Sequence, residues 1–309
     1  MRKLTNPAFQ FGKADAAALA RDGYFIPDVD LLTPAGLAFC QQNVEATLLQ
    51  LEPGRSPTAI FNAHQLPGGE WLAQLAADAA LVSMVQQQIG PDAVLWNTDL
   101  VLKPPRGHGS VEEPIPYHQD RPYHRFSAPE AATIWLAIDP VGVRTGTMYV
   151  LPGLHADGVL PRRFEDADEP QFLQKREFTI EIDPKALPPN IADAEKPYIL
   201  RPGQCALHST MLPHRSGVNT SVDEWRRVIV LRYAGAGLSS RFGQGVYADY
   251  RNGAEFQREY VLVGGVDRMG RNMRRIESGT GLIRPQEVLG FFGDAGFQLD
   301  MLSDNSARL

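Results

Sequence analysis

The segment PYHQDRPYH, residues 116–124, places two imidazoles and a carboxylate within a short stretch of chain. His118 and Asp120 are separated by one residue, and on an extended strand such side chains leave the same face. Taken alone, this spacing is more often a surface or hydrogen-bonding pair than a metal site. With a second histidine, however, it would form the two-histidine, one-carboxylate arrangement of non-haem Fe(II) oxygenases, which leaves coordination positions open for a cosubstrate and dioxygen.

The further ligand has to come from elsewhere, and residues 201–227, RPGQCALHSTMLPHRSGVNTSVDEWRR, supply two candidates, His208 and His214. Pro213 interrupts the register between them, so strand parity does not decide which one is the ligand. Arg226 follows after the turn-forming residues SGVNTS, and we expect it to face His214 across an antiparallel hairpin. A guanidinium in that position can bind a dicarboxylate through a bidentate contact.

The elements that must position these residues are helical early in the chain and β-rich later. Apolar periodicity and capping residues predict helices over 14–21, from Pro34 to the stop at Pro53-Gly54, over 78–88 and over 285–292. From Ala93 onward the chain contains short runs typical of strands: AVLWNTDLVLK, AATIWLAID, TMYVLPG, REFTIEI, QCALHSTML and RRVIVLRY. Many short strands separated by Gly and Pro favour a sandwich or a barrel.

We expect the 309 residues to form one enlarged domain, 1–309, because 43% of them are hydrophobic, which is enough for a substantial core. Its expected parts are a mostly helical segment 1–92, a β core 93–238 and a C-terminal extension 239–309. The core carries a long insertion, 157–202, which is acidic and rich in proline. Long loops in compact domains are often functional, so the insertion is a candidate lid or mobile segment.

Composition narrows the classes of partner. A formal charge of −6 and a pI near 5.7 provide no electrostatic reason to expect nucleic acid or an anionic membrane, so a small-molecule substrate is the expected partner. Cys40 and Cys205 are too few for a disulfide framework. The first residues lack the apolar core of a secretory signal and no long apolar run occurs, so the expected location is the cytoplasm. The oligomeric state is left open.

Four motifs together resemble the phytanoyl-CoA dioxygenase family of Fe(II) and 2-oxoglutarate-dependent oxygenases. They are YHQD, IWLAID followed by GTMYVLPGLH, PGQCALHSTMLPHRSGVN, and WRRVIVLRY. The resemblance implies a mainly β fold with flanking helices and a double-stranded β-helix, or cupin-like jelly roll, at its core. It also implies Fe(II) as cofactor, 2-oxoglutarate and O2 as cosubstrates, and hydroxylation of an unactivated C–H bond of a small molecule such as a natural product or amino-acid-type metabolite, with release of succinate and CO2.

The resemblance also implies roles for individual residues. The metal ligands and catalytic residues would be His118, Asp120 and His214, and Arg226 would bind the remote carboxylate of 2-oxoglutarate. Weaker matches lining the cosubstrate pocket are Gln119, Lys103 and Trp135, and candidate substrate contacts are His124, Arg121, Arg215 and His208. Arg215 stands where the family commonly has Gly, and we expect it to project a positive charge toward the pocket.

Two other classes of protein fit the same residues. A cupin-like isomerase or lyase would keep the metal ligands without consuming 2-oxoglutarate and would have no need of Arg226. A non-catalytic barrel that binds a small ligand would use His118 and Asp120 only for hydrogen bonds. Within the oxygenase class, desaturation, epoxidation and ring closure would use the same ligands as hydroxylation, and the substrate is not fixed by the sequence.

Overall fold

The computed structural model of the chain describes residues 4–49, 59–66, 68–107, 114–123, 126–127, 131–163, 181–237, 239–240, 246–248, 255–257, 259–268, 270 and 274–276. Its helices are α1 (Lys13–Asp22), α2 (Pro34–Leu49), α3 (Glu70–Ala76), α4 (Ala79–Ile89) and α5 (Ile191–Ala194). Short 3-10 turns occur at Ala63–Gln65, Arg121–Tyr123, Leu154–Asp157 and Pro184–Ala186. The helix predicted over 285–292 lies outside the described residues.

The three helices that the sequence predicts before the β-rich part are present, and the predicted stop of α2 at Pro53-Gly54 lies outside the described residues. Thr33 Oγ1 accepts the Gly36 N–H at 3.0 Å at the start of α2, and an Asp78 carboxylate oxygen accepts the Ala80 N–H at 2.9 Å at the start of α4. Gly23 ends α1 with φ +78°, a left-handed conformation that glycine adopts without steric cost. The short helix α3 was not predicted.

The chain contains sixteen strands within the part that the structure describes. They are β1 (Tyr24–Phe25), β2 (Ala59–Phe61), β3 (Ala93–Lys103), β4 (Ile115–His118), β5 (Phe126–Ser127), β6 (Ala131–Ala137), β7 (Met148–Val150), β8 (Lys196–Pro197), β9 (Cys205–Ser209), β10 (His214–Ser216), β11 (Arg226–Gly235), β12 (Ser239–Ser240), β13 (Val246–Ala248), β14 (Glu255–Gln257), β15 (Val261–Gly264) and β16 (Arg274–Arg275). Of the predicted strand runs, REFTIEI falls mostly outside the described residues.

Two sheets build the core. The main sheet has eight strands in the order β1-β9-β6-β11-β3-β15-β16, with β2 also paired to β3, and the small sheet has the order β4-β10-β7-β8. All pairings in both sheets are antiparallel except that of β15 with β16. Two opposed, mostly antiparallel sheets are the jelly-roll arrangement, so the predicted fold class is confirmed. Among the described helices, none combines the length and hydropathy needed to cross a membrane.

Each face of the main sheet packs against a different layer. On β11, Ile229 and Leu231 lie in one apolar cluster with α3 and α4, which cover the outer face. Val228 and Val230 alternate with them and pack with Trp135 and with residues of the small sheet. The space between the two sheets, called the interior below, therefore receives alternate side chains of β11 starting from Arg226.

The hairpin expected between His214 and Arg226 does not form. β10 pairs with β4 and β7 in the small sheet, whereas β11 pairs with β3 and β6 in the main sheet. The residues between them therefore cross from one sheet to the other. His214 and Arg226 consequently belong to opposite walls of the interior instead of neighbouring positions in one ladder.

Segments outside the β core contribute strands to it. β1 and β2 come from the first 92 residues, and β15 comes from the C-terminal extension and pairs with β3. The described parts of the insertion, 157–163 and 181–202, contact the small sheet: Ile182 donates its N–H to Tyr117 O at 2.8 Å, and β8 pairs with β7. Residues 164–180 lie outside the described part.

Candidate active site

The three predicted metal ligands converge between the sheets. His214 in β10 pairs directly with His118 at the end of β4, and their ring centroids are 4.1 Å apart. Asp120 follows β4 by two residues, and its Oδ1 lies 3.8 Å from the Nε2 atom of each histidine. The candidate ligand atoms all lie within 4.8 Å of one another, a spacing that a single metal ion can bridge.

Backbone carbonyls orient both imidazoles in the same way. His118 Nδ1 lies 2.9 Å from Pro116 O, and His214 Nδ1 lies 2.9 Å from Leu212 O. Because a carbonyl oxygen only accepts hydrogen bonds, each Nδ1 carries the hydrogen and each Nε2 keeps its lone pair. Such a contact to the far ring nitrogen fixes the tautomer and orientation of a metal-binding histidine.

The two imidazoles lie where their charged forms are disfavoured. Burial, followed by the proximity of His214, lowers the pKa of His118 to about 4, and burial lowers the pKa of His214 below its ordinary value. Both rings are therefore neutral at neutral pH. Neutral imidazoles and an ionised carboxylate are the protonation states that metal binding requires.

Two cations and an aromatic ring form another part of the interior. Arg226, the first residue of β11, pairs directly with Lys103, the last residue of β3, and the exposed fractions of the two residues are 1% and 3%. The Arg226 guanidinium lies 5.4 Å from the ring centroid of Trp135, and Lys103 Nζ donates to Gly217 O in the segment after β10. The predicted residues Arg226, Lys103 and Trp135 are thus brought together.

Gln119 does not fit its predicted place in the cosubstrate pocket. Its Nε2 donates to Gly158 O at 2.9 Å and to Met211 O at 2.6 Å, and its Oε1 accepts the Leu160 N–H at 2.8 Å. The residue is 2% exposed, and backbone groups bind both the nitrogen and the oxygen of its side-chain amide. Gln119 therefore ties the start of the insertion to the segment before His214.

Arg215 is also placed differently from the expectation. Its guanidinium makes two hydrogen bonds with Glu195, of 2.8 and 2.6 Å, and lies 3.9 Å from the ring centroid of Tyr149. Tyr117 Oη donates to the same Glu195 carboxylate at 2.5 Å. The expected projection of this positive charge into the pocket is contradicted, because neighbouring side chains of a strand leave opposite faces and His214 takes the interior one.

The remaining predicted contacts have different outcomes. His208 lies in β9 with its ring centroid 5.7 Å from that of His214, beside the ligand group and not within it. Burial lowers the pKa of His208 to about 4, so this ring is neutral too. Arg121 begins the 3-10 turn after Asp120, and its N–H donates to Thr210 O at 2.9 Å. His124 lies outside the described residues.

Sequence reasoning missed an ion pair beside the ligands. Arg232 on the interior face of β11 binds Asp99 of β3, and its Nε lies 3.5 Å from Oδ2 of Asp120. Burial lowers the pKa of Arg232, but the charges of Asp99 and Asp120 more than offset this and raise it overall. Parity could have identified Arg232, because it lies six positions after Arg226 and so shares its face.

Several buried polar atoms of the interior were also missed. Among the described residues, Thr133 Oγ1, Tyr198 Oη, His208 Nδ1 and Ser216 Oγ have no hydrogen-bond partner. Thr133 pairs directly with His208, and the rings of Tyr198 and His208 are 6.2 Å apart. Buried polar groups are normally hydrogen-bonded, so this set is suited to binding a ligand with polar groups of its own.

Known structures share this fold. An apo structure of the non-heme monooxygenase ThoJ is 24% identical, covers 90% of this chain and 92% of its own, and has a TM-score of 0.61. The epimerase SnoN in complex with Fe3+, alpha ketoglutarate and nogalamycin RO is 23% identical over 74% of this chain and 85% of its own, with a TM-score of 0.59. EctD from S. alaskensis, with 2-oxoglutarate and 5-hydroxyectoine, is 20% identical over 75% and 79%, with a TM-score of 0.55.

Sequence comparison connects the chain to one family. The dioxygenase lolE1 of Epichloe uncinata is 25% identical over 162 residues, which are 52% of this chain and 54% of the relative, so the match spans about half of each protein. The family model described as phytanoyl-CoA dioxygenase (PhyH) matches residues 17–228, an interval that contains the ligand group and Arg226. The chain therefore belongs to the phytanoyl-CoA dioxygenase family.

Proposed function

We propose that this protein is a non-haem Fe(II)/2-oxoglutarate-dependent dioxygenase that hydroxylates an unactivated C–H bond of a small molecule, a natural product or an amino-acid-type metabolite, with release of succinate and CO2. The observation that carries the proposal is the convergence of His118, Asp120 and His214 in an interior that also holds Arg226 and Lys103. The first three residues can bind a metal ion. The other two are cations that can bind a carboxylate of a dianion such as 2-oxoglutarate.

The donor set suits ferrous iron. Two neutral imidazole nitrogens and one carboxylate oxygen are the ligands of the facial triad, and half of an octahedral coordination sphere stays open. The hydrogen bonds of His118 and His214 to backbone carbonyls hold both Nε2 atoms toward the shared position. When bound, iron with 2-oxoglutarate and dioxygen supplies the oxidising power of the reaction. The similar structures that contain Fe3+ or 2-oxoglutarate support this choice of cofactor and cosubstrate.

The cation pair is suited to the far carboxylate of 2-oxoglutarate. Two buried cations directly opposite each other in a sheet repel, and an anion bound beside them offsets that repulsion. The guanidinium of Arg226 binds a carboxylate bidentately, and Lys103 adds a point charge. Ser216 has the same parity on β10 as His214 and carries a buried hydroxyl that can donate to the same carboxylate. The ring of Trp135 lies beside the guanidinium, with its centroid 5.4 Å away.

The substrate is proposed to bind against the neutral polar wall formed by Thr133, Tyr198 and His208. These groups donate to or accept from hydroxyl, carbonyl or amide groups of a substrate without adding charge. Arg121 and His124 stay candidate substrate contacts, of which His124 lies outside the described residues. Arg215 is not included, because Glu195 already engages its guanidinium.

The reaction outcome is a finer part of the proposal. Desaturation, epoxidation and ring closure need the same metal and cosubstrate ligands, and one similar structure is described as an alpha ketoglutarate dependent epimerase. Hydroxylation is the outcome that we propose, because the carboxylate of Asp120 would complete a metal site for oxygenation, whereas halogenation would need that coordination position free for chloride. A cupin-like isomerase or lyase without 2-oxoglutarate is the alternative, and it would leave the cation pair without a role.

An anaerobic titration tests the proposal directly. Fe(II) and 2-oxoglutarate are added to the full chain under argon, and we expect a visible metal-to-ligand charge-transfer band that neither reagent produces alone. Binding of Fe(II) without any band on addition of 2-oxoglutarate would instead favour the isomerase or lyase. A screen of small molecules for substrate-dependent succinate release then identifies the substrate class.

A further inference from the structure

A buried ion pair lies directly behind the candidate metal site. Arg232 projects into the interior from β11, and Asp99 projects toward it from β3 with 1% of the residue exposed. The pair is close to the ligand group, because Arg232 also contacts Asp120. Buried ion pairs contribute little net stability compared with apolar residues of the same volume. Stability alone therefore does not account for this pair.

The two oxygens of Asp120 face different partners. Oδ1 lies 3.8 Å from Nε2 of both His118 and His214, at the point where a metal would be shared. Oδ2 lies 3.5 Å from Nε of Arg232. A carboxylate in this orientation offers one oxygen to a metal and keeps the other engaged by a guanidinium.

We propose that Arg232 is a positioning residue that holds Asp120 as a ligand through one oxygen only. This inference builds on the proposed metal site. A carboxylate that chelated through both oxygens would occupy one more coordination position and leave fewer for 2-oxoglutarate, which needs two, and for dioxygen. By engaging Oδ2, Arg232 keeps that position open.

Asp99 makes Arg232 rigid enough for this role. Its Oδ1 accepts the side-chain amide of Asn97 at 3.0 Å and the Asn62 N–H at 3.3 Å, while its Oδ2 receives the guanidinium. Each Asp99 oxygen therefore has its own donors, and the carboxylate cannot turn away from Arg232. A series of contacts therefore connects the main sheet to the ligand: Asn97 binds Asp99, Asp99 binds Arg232, and Arg232 contacts Asp120.

Charge favours the same arrangement. Asp99 and Asp120 are two carboxylates close to one guanidinium, and Arg232 stays protonated because these negative charges raise its pKa despite burial. The guanidinium thus separates two negative groups that would otherwise repel, and it directs one oxygen of Asp120 toward itself.

The experiment counts water molecules on Mn(II) bound to the full chain. Because Arg232→Met alone would leave Asp99 buried without its counter-charge, the test variant is Asp99→Leu/Arg232→Met, which removes the pair together. The matched control is Asp139→Leu/Arg227→Met, which removes another ion pair of β11, the one between Arg227 and Asp139. The waters bound to Mn(II) are counted from the broadening of its electron paramagnetic resonance lines in 17O-enriched water. The Kd of Mn(II) is measured by titration.

We expect the control to match the wild type in both measurements. The test variant should lose one bound water, because the freed Oδ2 turns to the metal, and its Kd should rise about ten- to a hundredfold, the usual effect of removing a partner of a metal ligand. An unchanged water count in the test variant overturns the inference, whatever the Kd. If the wild type itself binds no Mn(II), it is the proposed function that fails, so the two failures are distinguishable.

Discussion

Arg226 and Arg227 are neighbours in β11 whose side chains leave opposite faces of the main sheet. Arg227 binds Asp139 at 2.8 Å outside the interior, whereas Arg226 lies within it above Trp135. The two arginines thus have similar local sequence and different surroundings. Replacing each arginine in turn therefore distinguishes the effect of losing a cation from the interior from the effect of losing any arginine in this strand.

Replacing Arg226 should weaken binding of the cosubstrate specifically. We expect Arg226→Met to raise the Kd of 2-oxoglutarate about ten- to a hundredfold, because a hydrogen bond to a charged group contributes about 1.5–3 kcal/mol. The measurement is the anaerobic charge-transfer titration with Fe(II). Arg227→Met is the control and should keep the wild-type Kd. Equal losses in both variants would mean that Arg226 acts through the fold of β11 only.

His208 should make the metal-free protein sensitive to mild acid. Its pKa is about 4 in the folded state, and an unfolded histidine has about 6.5, so between these values the unfolded chain binds the additional proton. The free energy of unfolding therefore falls as the pH falls through this window, and the stability associated with neutral His208 is complete above it. We expect His208→Asn to reduce the slope by about 1.4 kcal/mol per pH unit.

Chemical denaturation at several pH values in the presence of a chelator measures this slope. Thr133→Val is the matched control, since Thr133 pairs directly with His208 but carries no titratable group. That variant is expected to change the stability by a similar amount at every pH and to keep the wild-type slope. A His208→Asn slope equal to that of the wild type would contradict the assignment.

Strand alternation explains which site residues could be predicted from the sequence. His118 and Asp120 lie on one side, as the alternation of an extended chain predicts, and the intervening Gln119 is turned away from them. Arg215 is turned away from His214 in the same manner. Parity places Arg232 on the same face as Arg226, but the sequence alone does not show that Asp99 is its partner.

At the scale of elements, the segment after β10 supports the cation pair. Gly217 O accepts Lys103 Nζ, and Asn219 Nδ2 donates to Lys103 O at 3.1 Å. Gly146, which has φ +77°, packs against this segment so closely that a Cβ atom there would lie 2.8 Å from backbone atoms of residues 217–219. The position therefore requires glycine both for its conformation and for space.

Gly146→Ala should accordingly affect both stability and cosubstrate binding. We expect a loss of about 1–3 kcal/mol in the free energy of unfolding from the strained backbone, and a severalfold higher Kd of 2-oxoglutarate because the support of Lys103 shifts. Gly142→Ala is the control, since a Cβ at Gly142 meets nothing within 4 Å. Loss of stability with an unchanged Kd would show that the segment does not hold Lys103 in place.

Local signals determined how well the elements were predicted. α1, α2 and α4 have caps and apolar periodicity within their own sequences, so both ends of α1 and α4 and the start of α2 were predicted closely. The partner of a strand is not a local property, and therefore the pairing of β10 with β4, and not with β11, was predicted wrongly. Proximity in the chain favoured a hairpin, but burial of both interior faces requires the two strands in opposite sheets.

At the scale of the whole molecule, the site is assembled from distant parts of the chain. The small sheet provides His118 and His214, the main sheet provides Arg226 and Arg232, and β2 leads into Asn62, whose N–H binds Asp99. The sequence predicts the jelly roll because its strands are locally recognisable. It does not predict that β1, β2 and β15 extend the main sheet, since these short strands have no distinct pattern of their own.

Because the ligands come from separate elements, metal binding should stabilise the folded molecule as a unit. A ligand that binds only the folded state adds about 2.7 kcal/mol at a concentration of 100 Kd, which for a chain of this size corresponds to a Tm increase of about 5 °C. We expect Co(II) to produce this increase in the wild type and a chelator to reverse it. Asp120→Ala should abolish it, whereas Asp223→Ala, which alters a side chain that is 73% exposed, should preserve it. An equal Tm increase in the Asp120→Ala protein would place the metal somewhere other than between the two sheets.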